Sequence, residues 1–483
     1  MFDPRPRRLV RLTAVITALL TVACGDSDDK EDAGGAGTEE RTVRQPPPTD
    51  GWASLGGDLF STFHNRRDTS ISRDNAGDLE EAWIMRTVGG PTGTMATNGD
   101  VGYVTSLGKS YAITLPDGDV LWEGPGATSS AAYHDGIVYI HDSRSALVAL
   151  NAEDGEELWS EQTAVHAHVS GYSSPVVHGD LVYVGTSSAE EVSGRTAPEL
   201  TFRGAVIAYD RLTGQREWRY WTVDEEHTGA TVWSTVSIDP ELGILYASTG
   251  NNYSGEATDT SDAVIALDML TGDELWKNQV LPNDVFPRSD GEVGPDYDFG
   301  TNPVLFDMEL DGEVRRLLGL GQKSGSFYVM DREDGETVWE ISLGPGDEGT
   351  GGVFNNGAYD GERILVASNR GTSDGPGSES SRGGISRLVA LDPGTGDILW
   401  ERQLGHWVYA PITIANGVGY VAINTHMQAF NTETGEVLFE IDTGGSIASG
   451  VVVKDDHAYF GSGFQFFSPG VMMNSEFYAL KLP

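Results

Sequence analysis

The chain has 483 residues, 62 of them glycine, and a formal net charge of −42 from 73 acidic against 31 basic side chains. That excess of carboxylates argues against binding to nucleic acid or to an anionic lipid surface, and favours a well-solvated surface or cationic partners. A single cysteine excludes internal disulfides, a CxxCH haem attachment and cysteine-rich metal sites, so any electrons the protein handles leave by another route.

Residues 1–23 carry Arg5, Arg7, Arg8 and Arg11 ahead of an apolar run over 12–23. The run is short for a membrane helix and reads as a secretory signal. Its end, Thr21-Val22-Ala23-Cys24, resembles a bacterial lipobox and predicts lipidation of Cys24; the alternative is an incidental thiol on a soluble exported protein. Residues 24–50 are rich in glycine and acidic residues and finish in Pro46-Pro47-Pro48, the composition of a disordered tether. The expectation is an exported protein anchored by lipid to the bacterial envelope, at the periplasmic or surface face of the outer membrane.

From residue 51 to 483 the sequence predicts one all-β domain. A strand over 79–86 carries Trp83. The phrase Ala266-Leu267-Asp268-Met269-Leu270-Thr271-Gly272-Asp273-Glu274-Leu275-Trp276 is the fullest copy of an internal repeat, with relatives running Ala112 to Trp122, Ala149 to Trp159, Ala208 to Trp218, Val329 to Trp339, Ala390 to Trp400 and Ala429 to Phe439. Repeats of this kind are read before any single residue. Each copy predicts a hairpin: an apolar strand ending in Asp or Asn, a turn closed by Gly, and a second strand with a large aromatic. One hairpin cannot hide both of its faces, but four-stranded units stacked radially can. The eight aromatic anchors predict an eight-bladed β-propeller. The final strand, over 477–482, has no anchor strand after it, and the strand of Trp83 has no repeat strand before it, so the two are expected to pair and close the ring.

More specific motifs lie between the repeats. They are Trp52-Ala53-Ser54-Leu55-Gly56-Gly57-Asp58, Val232-Trp233-Ser234, Ile238-Asp239-Pro240-Glu241-Leu242-Gly243, Thr249-Gly250-Asn251-Asn252-Tyr253-Ser254, Gly294-Pro295-Asp296-Tyr297-Asp298-Phe299-Gly300 and Gly321-Gln322-Lys323-Ser324-Gly325. Together they resemble the pyrroloquinoline quinone (PQQ) dependent dehydrogenases, in the polyvinyl-alcohol-dehydrogenase-like branch, over residues 52–482. By that resemblance Trp233 is the indole on which the quinone stacks, and Lys323 the cation at its ortho-carbonyl oxygen. Asn251 is an amide ligand of the metal, normally Ca²⁺ and in some branches a lanthanide. Glu190 is the first choice and Glu191 the second for the carboxylate at the metal and cofactor. Asp296 and Asp298 stand where the family places its catalytic aspartate and, two residues on, a further metal ligand; the sequence does not separate base from ligand. The implied reaction oxidises a small or polymeric alcohol. An aspartate takes the hydroxyl proton, hydride passes to the quinone, and electrons go on to an external acceptor such as a separate cytochrome c.

Each of these residues also has a plainer reading, as core, turn or solvated loop; only their joint occurrence in order points to a cofactor. His166-Ala167-His168 offers two imidazoles without a third ligand and reads as packing or surface. No Gly-x-Ser-x-Gly elbow sets up a hydrolase. The chain lacks the adjacent cysteine pair of several quinoprotein dehydrogenases, and carries Phe354 and two asparagines where relatives often place a pocket-closing Trp. The other reading is a non-catalytic PQQ-like propeller lipoprotein serving as an envelope scaffold or binding module, which requires only the blades.

Overall fold

A computed structural model of the chain describes residues 43–44, 51–67, 69–142, 144–190, 200–286, 294–346, 351–369, 386–464 and 474–483. Cys24, the signal segment and Glu191 lie outside the described residues. The repeat folds as the hairpin its sequence predicts. In the fullest copy Ala263–Asp268 pairs antiparallel with Glu274–Gln279. The Asp268 carboxylate accepts the amide protons of Leu270 at 2.8 Å and Thr271 at 2.9 Å, which closes the turn. Gly272 has φ +75°, and a Cβ built there would lie 2.6 Å from the indole of Trp218. One glycine thus makes the turn and lets the preceding blade dock.

The alanine of the repeat has a matching cause. Tyr246, Ala266 and Trp276 stand side by side on three adjacent strands. The small central methyl lets phenol and indole meet across it, with ring centroids 5.9 Å apart. The indole N–H of Trp276 then donates to the carbonyl of Arg332 in the next blade at 3.0 Å. The same indole-to-next-blade bond recurs from Trp83, Trp122, Trp159, Trp218, Trp339 and Trp400.

Eight such sheets of four or five strands are formed among the described residues. We number the blades in chain order, one to seven, over residues 96–125, 132–162, 169–221, 237–279, 304–342, 358–404 and 413–442. Blade eight joins Val452–Lys454, His457–Ser462 and Glu476–Lys481 to Glu80–Arg86. Trp83 faces Ala479 in that last pair, so the ring closes by pairing of an N-terminal strand with the last strand. Because the strands alternate in direction, the repeat turns emerge on one face. The loops after each second strand, and those leading into each blade, emerge on the other.

The segment after Gly51 runs through the axis. Carbonyls of Trp52, Ala53, Leu59, Phe60, Thr62 and Phe63 accept the amide protons of Thr97, Tyr133, Ile238, Leu305, Tyr359 and Ile414, at 2.8–3.0 Å. Those donors sit on the innermost strands of blades one, two, four, five, six and seven, whose edges face the axis and would otherwise lack partners. A second belt links the loops leading into the blades. The amides of Gly450, Thr94, Ser130, Ser174, Thr235 and Asn302 donate to the side-chain oxygens of Thr94, Ser130, Ser174, Thr235, Asn302 and Asn356 in turn. The belt is interrupted around Pro411, which has no N–H to give. It passes two residues beyond Trp233, on the face where the family-like motifs gather.

Candidate cofactor site

The motif residues come from loops of three neighbouring blades. Trp233 precedes the first strand of blade four, and Asn251 follows Ile244–Ser248, the second. Asp296 and Asp298 lead into blade five, and Lys323 follows its second strand, Glu313–Gly321. All lie on the face opposite the repeat turns. Phe354 leads into blade six and joins them there.

At the centre stands Lys323. Its ammonium donates to Asp296 Oδ1 at 2.9 Å and Asp298 Oδ2 at 2.8 Å, with all three side chains under a tenth exposed. It also lies 5.7 Å from the Trp233 ring centroid, over the face of the indole. Asp298 is fixed at four points. Its Oδ1 accepts the Asn251 amide proton at 2.8 Å, Oδ2 accepts from Lys323, its carbonyl accepts the Lys323 N–H at 3.0 Å, and the next residue, Phe299, donates to Thr249. Gly300 is required by close approach, since a Cβ there would stand 2.1 Å from Trp233 Cη2. Gly250 likewise leaves room for the Asp298 carboxylate.

The Asn251 amide nitrogen gives its two protons to the carbonyls of Asn252 and Phe286, at 2.8 and 3.0 Å, which fixes the side-chain oxygen on the other side. Phe354, in place of a Trp, packs against Trp233 with centroids 5.6 Å apart. An aromatic run continues from it through Tyr409 to Trp407. Five predicted residues, Trp233, Asn251, Asp296, Asp298 and Lys323, are thus joined by direct contacts. Glu190 is not in direct contact with them. Its carboxylate accepts the amide protons of Thr201 and Phe202, and Phe202 in turn binds Gly229, which packs against Asn251. His166, read from the sequence as packing or surface, has Nε2 3.1 Å from Glu190 Oε1 and a ring set edge-on to Phe202.

Two buried carboxylates escaped the sequence reading. Asp284 accepts the amide protons of Tyr297 at 2.9 Å and Asp296 at 3.4 Å. Burial and the neighbouring Asp298 push its carboxyl above the usual value. Asp262 is fully buried with no partner for either carboxylate oxygen. Burial, then Asp284, Asp298 and Asp296, drive its carboxyl well above the usual range. The repeat held a signal for Asp262. Four residues before the Ala or Val of each copy the other repeats carry Gly108, Ser145, Gly204, Gly325, Ser386 and Thr425; here alone the place is taken by a carboxylate, at φ +47°. No comparable pattern marks Asp284.

The residues fit a flat polar ligand. Trp233 offers a face and Lys323 a cation, while the amide nitrogens of Gln322 and Asn302 and the amide oxygen of Asn355, all flanking the site motifs, are buried without partners. For a cation, the oxygens of Asp296, Asp298 and Asn251 are donors of the right hardness. Among the described residues no group of three or more His, Cys, Asp or Glu side chains is arranged to hold a metal ion.

Residues 162–350 match the family described as the glucose/ethanol/alcohol dehydrogenase β-propeller domain, and 323–465 match that of the outer membrane protein assembly factor BamB. The chain is 31% identical over 415 residues to a polyvinylalcohol dehydrogenase of a Pseudomonas species, covering 76% of this chain. Its propeller resembles those of the PQQ-dependent dehydrogenases. A second polyvinylalcohol dehydrogenase, from Sphingopyxis, is 29% identical over 421 residues, again 76% of this chain. The chain spans 63% of the length of each of these two relatives. In fold it is similar to a quinohemoprotein alcohol dehydrogenase from Pseudomonas putida, with a TM-score of 0.74 at 20% identity over 90% of this chain and 80% of that one.

Proposed function

We propose that the protein is a quinoprotein dehydrogenase that binds PQQ and oxidises an alcohol. The observation that carries this reading is the Lys323 ammonium held between Asp296 and Asp298, over the face of Trp233, with Asn251 tied to the same Asp298. When bound, PQQ would supply a hydride-accepting quinone, and a hard cation, Ca²⁺ or a lanthanide, would supply positive charge to the site.

In this reading the indole of Trp233 would offer the quinone a rigid apolar face, with Phe354 packed beside it. The buried Lys323 ammonium would supply a cation to a quinone oxygen as negative charge develops there. Asp298, with both oxygens engaged, aims Lys323 and shares cation ligation with Asn251; Glu190, with Glu191 next to it, supplies a further carboxylate. Asp296 is the base that takes the proton from the alcohol hydroxyl. The similarity to polyvinylalcohol dehydrogenases supports a small or polymeric alcohol as substrate. Electrons then pass to an external acceptor such as a separate cytochrome c. The signal-like residues 1–23 and Cys24 support export and a lipid anchor on the envelope.

The test is to add PQQ with Ca²⁺, and separately with a lanthanide, to the protein and follow bound-quinone absorbance and alcohol-dependent dye reduction. Binding that weakens at least tenfold in Trp233→Ala and in Lys323→Ala is expected. Absence of quinone binding with either cation leaves the scaffold reading, which the BamB-like match over 323–465 favours.

A further inference from the structure

We infer that Asp284 is a positioning residue, the clasp that sets the Asp296–Asp298 loop against Asn251 for the reaction proposed above; the inference rests on that reading. Asp284 begins a short extended stretch laid alongside Asn251 and Asn252. Asn252 donates to its carbonyl at 3.3 Å, Phe286 donates back to the Asn252 carbonyl at 2.9 Å, and Asn252 bridges Val285 in parallel. The far end of the stretch holds the Asn251 amide through the Phe286 carbonyl, at 3.0 Å. Its near end holds the aspartate loop, because the Asp284 side chain accepts from the backbones of Tyr297 and Asp296. Three residues therefore fix the two groups whose relative placement the chemistry needs.

The clasp is also where backbone strain is held. Asp296 has φ +53°, a left-handed conformation that a residue with a Cβ adopts at a cost. Both of its flanking amides, its own and that of Tyr297, point at one carboxylate, as in an anion nest turned inward. Gly294 completes the approach, since a Cβ there would stand 2.8 Å from Asp284 Oδ1. Asp284 is 1% exposed, so it touches neither solvent nor a substrate in the mouth of the site. It acts through Asp296 and Asp298.

The experiment compares wild type, Asp284→Asn and Asp284→Ala as full chains. Asparagine keeps one oxygen for the Tyr297 amide; alanine keeps none. In the apoprotein, hydrogen exchange at the Tyr297 amide should speed up at least tenfold in D284A and less in D284N, with protection in the strand Ala263–Asp268 unchanged. In protein loaded with PQQ and Ca²⁺, quinone should stay bound in all three. There kcat should fall about tenfold in D284N and about 10²-fold in D284A, the scale of an ångström-level misplacement, with KM within about twofold. The primary isotope effect with a deuterated alcohol should rise in D284A, because the chemical step then limits turnover.

Unchanged exchange at Tyr297 in D284A overturns the inference. So does a kcat within twofold of wild type, or a kcat loss that merely tracks lost quinone binding and a lowered melting temperature. Wild type that binds no quinone sinks the dehydrogenase reading instead, and the exchange result still decides the clasp.

Discussion

A buried carboxylate without a donor is a cost the fold carries, and Asp262 is the plainest instance. Its folded-state pKa lies above the usual 3.8, so the native protein binds the proton more tightly than the unfolded chain. Stability therefore falls as pH rises from 3.8 through the folded value, and the penalty persists above it. Asp262→Asn in the apoprotein should raise stability at pH 7 by about 1–3 kcal/mol and leave it unchanged below pH 4, as read by urea melts at the two pH values. A gain that is equal at both would show that the ionised carboxylate is not the cause. At this scale the sequence marked Trp233, Asn251 and Lys323 because each sits in a distinctive local phrase. Asp284 gave no such mark, since its meaning depends on two loops, 33 residues apart in the case of Asn251, meeting in space. The pairing of His166 with Glu190 is of the same kind.

The joints between blades are built from one aromatic, one small residue and one carbonyl, and they are not equally robust. At Arg332 the carbonyl accepts from both Trp276 and Tyr246, at 3.0 and 3.1 Å. At Thr432 the carbonyl accepts from Trp400, and the matching place on the second strand is Leu365, which has no donor. Trp400→Phe should therefore cost about 1 kcal/mol more than Trp276→Phe, because only the first strands a carbonyl. Equal losses in paired denaturation curves would remove that account. The joint after blade seven has Phe439 and no indole. Ile71, Ala76 and Leu79, around the 3-10 turn Ala76–Asp78, pack with Phe439 and Leu480 to fill it. Hairpins were readable because turn residues and aromatics recur at fixed offsets. The small pairing of Thr228–Gly229 with Asn252–Ser254, which frames the site, was not, since its strands are too short and polar to leave a period.

Over the whole molecule the ring is held by contacts that ignore sequence distance. Arg44 is an example. It donates to Asp307 at 3.0 Å and to Asp239 at 2.9 Å, and also pairs with Glu241. The fully buried Arg332 meets the same Asp239 and Asp307, and both guanidinium groups lie over the ring of Phe60. Burial acts to raise the Asp239 carboxyl, but Arg44 and Arg332 outweigh it and hold it below the usual value. Arg44→Met leaves two buried carboxylates to one cation. The variant should lose about 1–3 kcal/mol at neutral pH, and the loss should vanish on acidification as Asp239 protonates, which a pH series of melting temperatures checks.

The pairing of Glu80–Arg86 with Glu476–Lys481 fixes the order in which the protein can become native. A chain growing from its N-terminus makes one strand of blade eight, Glu80–Arg86, long before the other three, and seven blades lie between them. Until then the ring is an open arc with two uncovered blade faces and one unpaired strand, and closing it joins residues far apart in sequence. Folding should be slow for the size of the protein, its last step all-or-none, and the arc the species most prone to pair with a second copy of itself.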